Sequence, residues 1–132
     1  MKRQHLIGTI CGVALLTAGA SQSVLASTAE NFEFKTTMDL YRVCSTVPED
    51  EDHVPSVFAC RAFIEAAVQY HDAVSDRKSM KRLICYPATA TVADGRRAFL
   101  AWVERNKDNS KLMGEQPVKG LVRSLADMYH CK

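Results

Sequence analysis

The chain of 132 residues has one tryptophan, four prolines and six glycines, and its basic side chains outnumber its acidic ones by only two. That surplus sits at Lys2 and Arg3; residues 27–132 carry fifteen of each sign. A neutral domain has no basic face with which to displace counterions from phosphates, which excludes nucleic acid as a partner. No run alternates polar and apolar residues for long enough to predict a strand, and there is no internal repeat or low-complexity tract. HExxH, GxSxG, a phosphate-binding glycine loop and CxxC are all missing, and with them the familiar hydrolase, nucleotide and dithiol chemistries. Structural zinc sites use tightly spaced ligand pairs. Without such a pair, the cysteines together with His53, His71 and His130 predict no metal, and no cofactor is expected.

What is present begins with an export signal. Met1 to His5 is positively charged at Lys2 and Arg3, and Leu6 to Ala20 is apolar apart from glycine and threonine. The run ends at Ser21, short of the roughly 20 apolar residues a membrane span needs. Val24-Leu25-Ala26 then offers a cleavage site, so residues 1–26 are read as a signal peptide and the remainder as a periplasmic domain without a membrane anchor. Cys11 falls inside the leader and would leave with it.

Residues 27–33 are polar with one aromatic and are expected to form a flexible arm, followed by an all-α domain over 34–132. Phe34, Met38 and Tyr41, with Leu40 and Cys44, recur at helical spacing over 34–44. Two prolines and the run Glu49-Asp50-Glu51-Asp52 make 45–55 a loop. Ser56, with Val54 as a staple before it, is the expected cap of a central helix that fades near Asp76. Its predicted core stripe is Phe63, Ala66, Ala67, Tyr70 and Val74, widened by Cys60, Ile64 and His71, while Ala59, Ala62 and Ala66 would let a neighbouring helix approach closely. Arg77, Lys78, Lys81 and Arg82 follow as a basic connector. Thr91 with Asp94 forms a capping box for a third helix, with Val92, Phe99, Leu100, Trp102 and Val103 on its apolar face. Residues 106–114 are polar and end it. Pro117 opens a fourth helix, lined by Val118, Leu121, Val122, Leu125 and Met128.

With Cys11 removed, Cys44, Cys60, Cys85 and Cys131 remain, an even number that implies disulfides in an exported chain. Four cysteines allow three pairings. In an up-down bundle the end of the first helix lies beside the start of the second, and the end of the second beside the end of the fourth. That layout favours Cys44–Cys60 and Cys85–Cys131, which in the chain-entropy model contribute about 3 and about 4 kcal/mol.

Few residues suggest a site. His71 and Asp72 are neighbours on a helix and project about 100° apart, which argues against an acid-base pair; the same adjacency argues against a nucleophile at His130-Cys131. Trp102 would be a binding anchor if exposed at the margin of its helix and a core residue otherwise. Glu49, Asp50, Glu51 and Asp52 have two readings: a solvated loop, or an acidic patch held at its base by Cys44–Cys60 and presented to a basic groove on a partner. A rigid loop has less conformational entropy to lose on binding.

FKTTMDLYRVC over 34–44, CRAFIEAAVQYHDAV from Cys60, Cys85-Tyr86-Pro87 and PVKGLVRSLADMYHC over 117–131 together resemble the Rap/Tai family of periplasmic immunity proteins associated with type VI secretion. The four cysteines, Leu40-Tyr41, Phe63-Ile64, Pro87 and Leu121-Val122 match as structural positions. Ala62 and Ala66 stand where the family often has glycine, and His130 where it commonly has proline. The resemblance implies an all-helical fold and a non-enzymatic role, often as a dimer, in neutralising a secreted peptidoglycan amidase by occupying its active-site region. A periplasmic acid-stress chaperone is the alternative, one that would expose apolar surface once Glu49, Asp50, Glu51 and Asp52 are protonated. A small molecule held between the helices is a third reading.

Overall fold

The computed structural model describes residues 27–77 and 80–132. The expected leader over 1–26 and Lys78 of the basic connector lie outside these residues. After a 3-10 turn at Ala29–Glu33, five helices follow: α1 at Thr37–Cys44, α2 at His53–Ser75, α3 at Val92–Asn106, α4 at Ser110–Met113 and α5 at Pro117–Met128. Among the described residues there is no strand; the one ladder-like contact is an isolated antiparallel bridge between Ile84 and His130. No helix among them is long and apolar enough to cross a membrane.

Two helix starts follow directly from local sequence. Thr91 and Asp94 close the expected capping box: the Asp94 amide donates to Thr91 Oγ1 at 3.2 Å and the Thr91 amide to Asp94 Oδ2 at 2.8 Å. Pro117 sits in the first turn of α5, where its lack of an N–H is harmless. Others differ from expectation. α1 begins not at Phe34 but after Thr36, which forms a second capping box with Asp39. Phe34 instead ends the 3-10 turn in the left-handed region, at φ 49°. α2 starts at His53, so Ser56 is not its cap but a fully buried residue of its first turn, with Oγ 3.3 Å from Ser27 Oγ. The bundle has five helices rather than four, because Asn109 caps the single extra turn of α4 by accepting from the Leu112 amide at 3.2 Å. Residues 29–33, expected as a loose arm, form a turn whose Asn31 Nδ2 donates to Asp39 Oδ1 at 2.9 Å.

The hub of the fold is α1, which packs against α2, α3, α4 and α5. Leu40 and Val43 of α1 are fully enclosed with Ile64, Phe99, Val103, Leu121 and Leu125. The longer α2 is peripheral. The Cys44–Cys60 disulfide, with Cα atoms 5.1 Å apart, sets its rotation, so that Ser56, Cys60, Ile64 and His71 face inward. The stripe expected on α2 is therefore displaced. Phe63 is half-buried against the ring of Phe34, with centroids 5.1 Å apart, whereas Ala66 and Tyr70 face solvent. Cys85–Cys131 fastens the connector to the end of α5, helped by the Cys85 amide donating to the Tyr129 carbonyl at 2.8 Å.

The seat of α1 on α5 is close. The Thr37 amide donates to the Glu115 carbonyl at 2.7 Å, and Thr37 Oγ1 to the same oxygen at 3.1 Å. Gly120 makes this approach possible, since a Cβ there would lie 2.3 Å from Thr37 Cγ2 and 2.5 Å from its Oγ1. A Gly120→Ala variant should lose about 1–3 kcal/mol through overpacking. Thermal unfolding checks this, and a midpoint equal to that of the parent would show that the two helices part at no cost.

Candidate partner-binding loop

The loop between α1 and α2 is a turned structure on a covalent base. Ser45 closes α1 by donating its amide to the Tyr41 carbonyl at 2.9 Å, and Thr46 Oγ1 donates to the Val43 carbonyl at 3.3 Å. Asp50 and Val47 are joined twice: the Val47 amide donates to Asp50 Oδ2 at 3.2 Å and the Asp50 amide to the Val47 carbonyl at 3.0 Å. From the side of α3, Arg96 Nε donates to the Cys44 carbonyl at 2.7 Å. The disulfide and these bonds leave the loop little freedom.

The four acidic residues are thereby divided. Asp50 is half-buried and holds the turn, while Glu49, Glu51 and Asp52 are exposed. Together with Ser27 the four line one open concavity of about 340 Å³. Immediately beyond it, the first two turns of α2 show solvent three apolar side chains, Val54, Val57 and Phe58. Negative charge and apolar surface are thus contiguous on one end of the molecule. Trp102 does not belong to this surface: it is 8% exposed and part of the core with Phe99 and Val103, so it is not an exposed anchor.

His71 and Asp72, set aside as a pair because of their helical spacing, do meet, with Nδ1 3.1 Å from Asp72 Oδ1. The contact is structural. His71 Nε2 accepts from the backbone amides of Leu83 at 3.2 Å and Ile84 at 3.3 Å, which makes it the acceptor that ties the connector to α2. That assignment puts the imidazole proton on Nδ1, facing Asp72. Asp72 also accepts from Tyr86 and, at 2.9 Å, from Arg82 Nη2. Sequence reasoning treated His71 as a polar edge and missed this role, because the amides of Leu83 and Ile84 that it accepts from are distant in sequence and nothing local marks them.

Burial pushes the Asp72 carboxyl up, but hydrogen bonds from Tyr86, His71 and Arg82 outweigh it and hold the group below its ordinary range. Asp39 is balanced in the same way: burial raises it, and donors from Thr36 and Asn31 bring it down. Tyr41, half-buried and bonded to Glu104, is pushed up to about 12, first by burial and then by that hydrogen bond. None of these groups faces a cleft with a nucleophile beside it. The apolar cleft between α2, α3 and α5, lined by Ile64, Val68, Val92 and Leu125, has a volume of about 270 Å³, just under the usual ligand-pocket range of about 300–1,000 Å³. No group of three or more metal-ligating side chains occurs among the described residues.

The depressed carboxyls set a pH dependence. A carboxylate whose folded pKa lies below its unfolded value of about 3.9 stabilises the fold fully above that pH, and the stabilisation is lost as acid carries the pH through the folded value. An Asp72→Asn variant should be less stable than the parent near neutrality and show a shallower fall in thermal midpoint on acidification. Superimposable pH profiles for the two proteins would refute any contribution from this carboxylate.

In comparison with known proteins, the family model described as Rap1a immunity proteins matches residues 36–131. The match spans α1 to the last cysteine and so includes both disulfides, the acidic loop and the His71 tie. No curated protein and no solved structure matches the chain.

Proposed function

The chain belongs to the Rap1a immunity protein family, and from that premise we propose that it is a periplasmic inhibitor of a toxin effector delivered by type VI secretion, a cell-wall-degrading enzyme of the peptidoglycan amidase class. Membership in an immunity family implies binding to a toxin rather than catalysis. The contact lies on the loop at 45–52 and the adjoining turns of α2, and the protein works as a homodimer. The leader expected over 1–26 supports the periplasmic location, where the disulfides would also persist.

The observation that carries the reading is the loop itself. Cys44–Cys60 spans 16 residues, and within it Glu49, Glu51 and Asp52 point outward from a turn that Asp50 locks. Such a segment enters a complex with its conformation already set, so little ordering entropy opposes association. Three outward carboxylates steer it toward a cationic groove and disfavour neutral or acidic surfaces. Inhibition then requires only that the loop occupy the groove and exclude the peptidoglycan strand.

Residues 27–132 with intact disulfides should inhibit one of a panel of secreted peptidoglycan amidases stoichiometrically. A variant carrying Glu49→Ser, Glu51→Ser and Asp52→Ser should bind at least about tenfold more weakly, a loss of about 1.4 kcal/mol. Full inhibition by that variant would remove the loop from the interface. Failure to bind any amidase, joined with broad capture of unfolded proteins at low pH, would replace the inhibitor with the acid-stress chaperone.

A further inference from the structure

The two disulfides differ in what surrounds them. Cys44 and Cys60 are each 1% exposed and lie in the core with Leu40, Val43 and Ile64. Cys85 is exposed and Cys131 half-buried. The charge around this outer pair is of one sign. Lys81 and Arg82 precede Cys85, His130 and Lys132 flank Cys131, and all four are exposed. Neither 80–87 nor 128–132 contains an acidic residue, and the bridge between Ile84 and His130 lays the two segments side by side. Of the carboxylates that approach them, Asp72 is bonded to Arg82 and Tyr86, and Asp127 to Arg105. Cations beside a disulfide draw in an attacking thiolate and stabilise the one that departs, and exchange needs access as well. The outer pair has both, whereas the inner pair is closed off.

Opening the outer bond leaves the backbone around it in place. The Cys85 amide donates to the Tyr129 carbonyl at 2.8 Å, His71 Nε2 accepts from the amides of Leu83 and Ile84, and Ile84 itself is 1% exposed. None of these contacts runs through sulfur. The two thiols therefore stay beside each other, and the same pair can close again. What changes is connectivity: the covalent loop around α3, α4 and α5 is cut, while the acidic loop keeps its own bond. The chain near Cys85 also offers a partner something to hold. Met80 and Leu83 are 52% and 54% exposed, Pro87 is exposed, and no helix includes residues 80–87. Apolar side chains on both sides of the sulfur suit a protein reagent, since a small thiol has no surface to cover them.

We infer that Cys85–Cys131 is a site of thiol–disulfide exchange with a protein dithiol of the CxxC type, and that Cys44–Cys60 is not. A thiolate of the dithiol attacks Sγ of Cys85, the more exposed partner. A mixed disulfide forms, the bond to Cys131 breaks, and Cys131 leaves as a thiolate that takes a proton from water. The second thiol of the reagent loses its proton, attacks the mixed disulfide and releases Cys85, which is protonated in turn. Two electrons pass from the dithiol, which ends as a disulfide, to the cysteine pair, which ends as two thiols. The inference does not rest on the inhibitor reading, because the acidic loop takes no part in it.

Residues 27–132 should be treated with graded dithiothreitol, alkylated, and mapped by mass spectrometry. Cys85 and Cys131 should be labelled at a concentration at least about tenfold below that needed for Cys44 and Cys60, with helical circular dichroism retained. A CxxC protein whose second cysteine is replaced by serine should be trapped as a mixed disulfide on Cys85. The double variant K81Q/K132Q should slow that trapping several-fold, and Leu83→Ser should slow it while leaving the reaction with dithiothreitol unchanged. Labelling of all four cysteines together, or loss of helix as the first pair opens, would overturn the site. Selective labelling by dithiothreitol without capture of the CxxC protein would overturn the protein partner, and capture on Cys131 would overturn the choice of sulfur.

Discussion

The structure depends on an eight-residue helix that could not stand alone. Isolated helices shorter than about 12–15 residues are marginal in water, so α1 exists because its surroundings hold it. Its first amide and the Thr37 hydroxyl are bonded to the turn before α5, and Gly120 lets the two backbones close. Its last residue, Cys44, is bonded covalently to α2 and through its carbonyl to Arg96 of α3. Every larger helix takes its position from this small one, and the loop carrying the acidic residues leaves directly from its end.

Much of this was legible in the sequence wherever the determinant was local. The Thr91-Asp94 cap and Pro117 act over a few residues and mark their helices unaided. The disulfide pairs Cys44–Cys60 and Cys85–Cys131 follow from the order of the helices, which the sequence shows. Where the determinant was tertiary, the reading failed. α2 is apolar nearly all round, so periodicity could not say which side is inner, and the choice passed to one covalent bond at Cys60. Phe58 lies on the surface of α2 for this reason, while Trp102, open to two readings in the sequence, is a core residue of α3. Gly120 and His71 carry no local signal, because the partners that explain them, Thr37 and the amides of Leu83 and Ile84, are distant in sequence.

The acidic loop divides adjacent like charges between a structural role and exposure to solvent. A run of four carboxylates repels itself, and a free loop would spread to relieve that. Here Asp50 is turned into the chain, where the Val47 amide donates to its carboxylate, and the other three are left facing solvent. Charge density at the tip is thereby kept without loss of shape.

The second disulfide has a mechanical consequence. Cys85 and Cys131 enclose α3, α4 and α5 in one covalent loop, and Cys44 and Cys60 enclose the acidic turn in another. Under tension applied to residues 27 and 132, only 27–44 and 60–85 can lengthen, while the interior of each loop bears no force. A machine that unfolds its substrates by threading them would meet a doubled strand at each disulfide. The same bonds that set the packing thus shield the acidic turn and α3 to α5 from an applied pull until they are reduced.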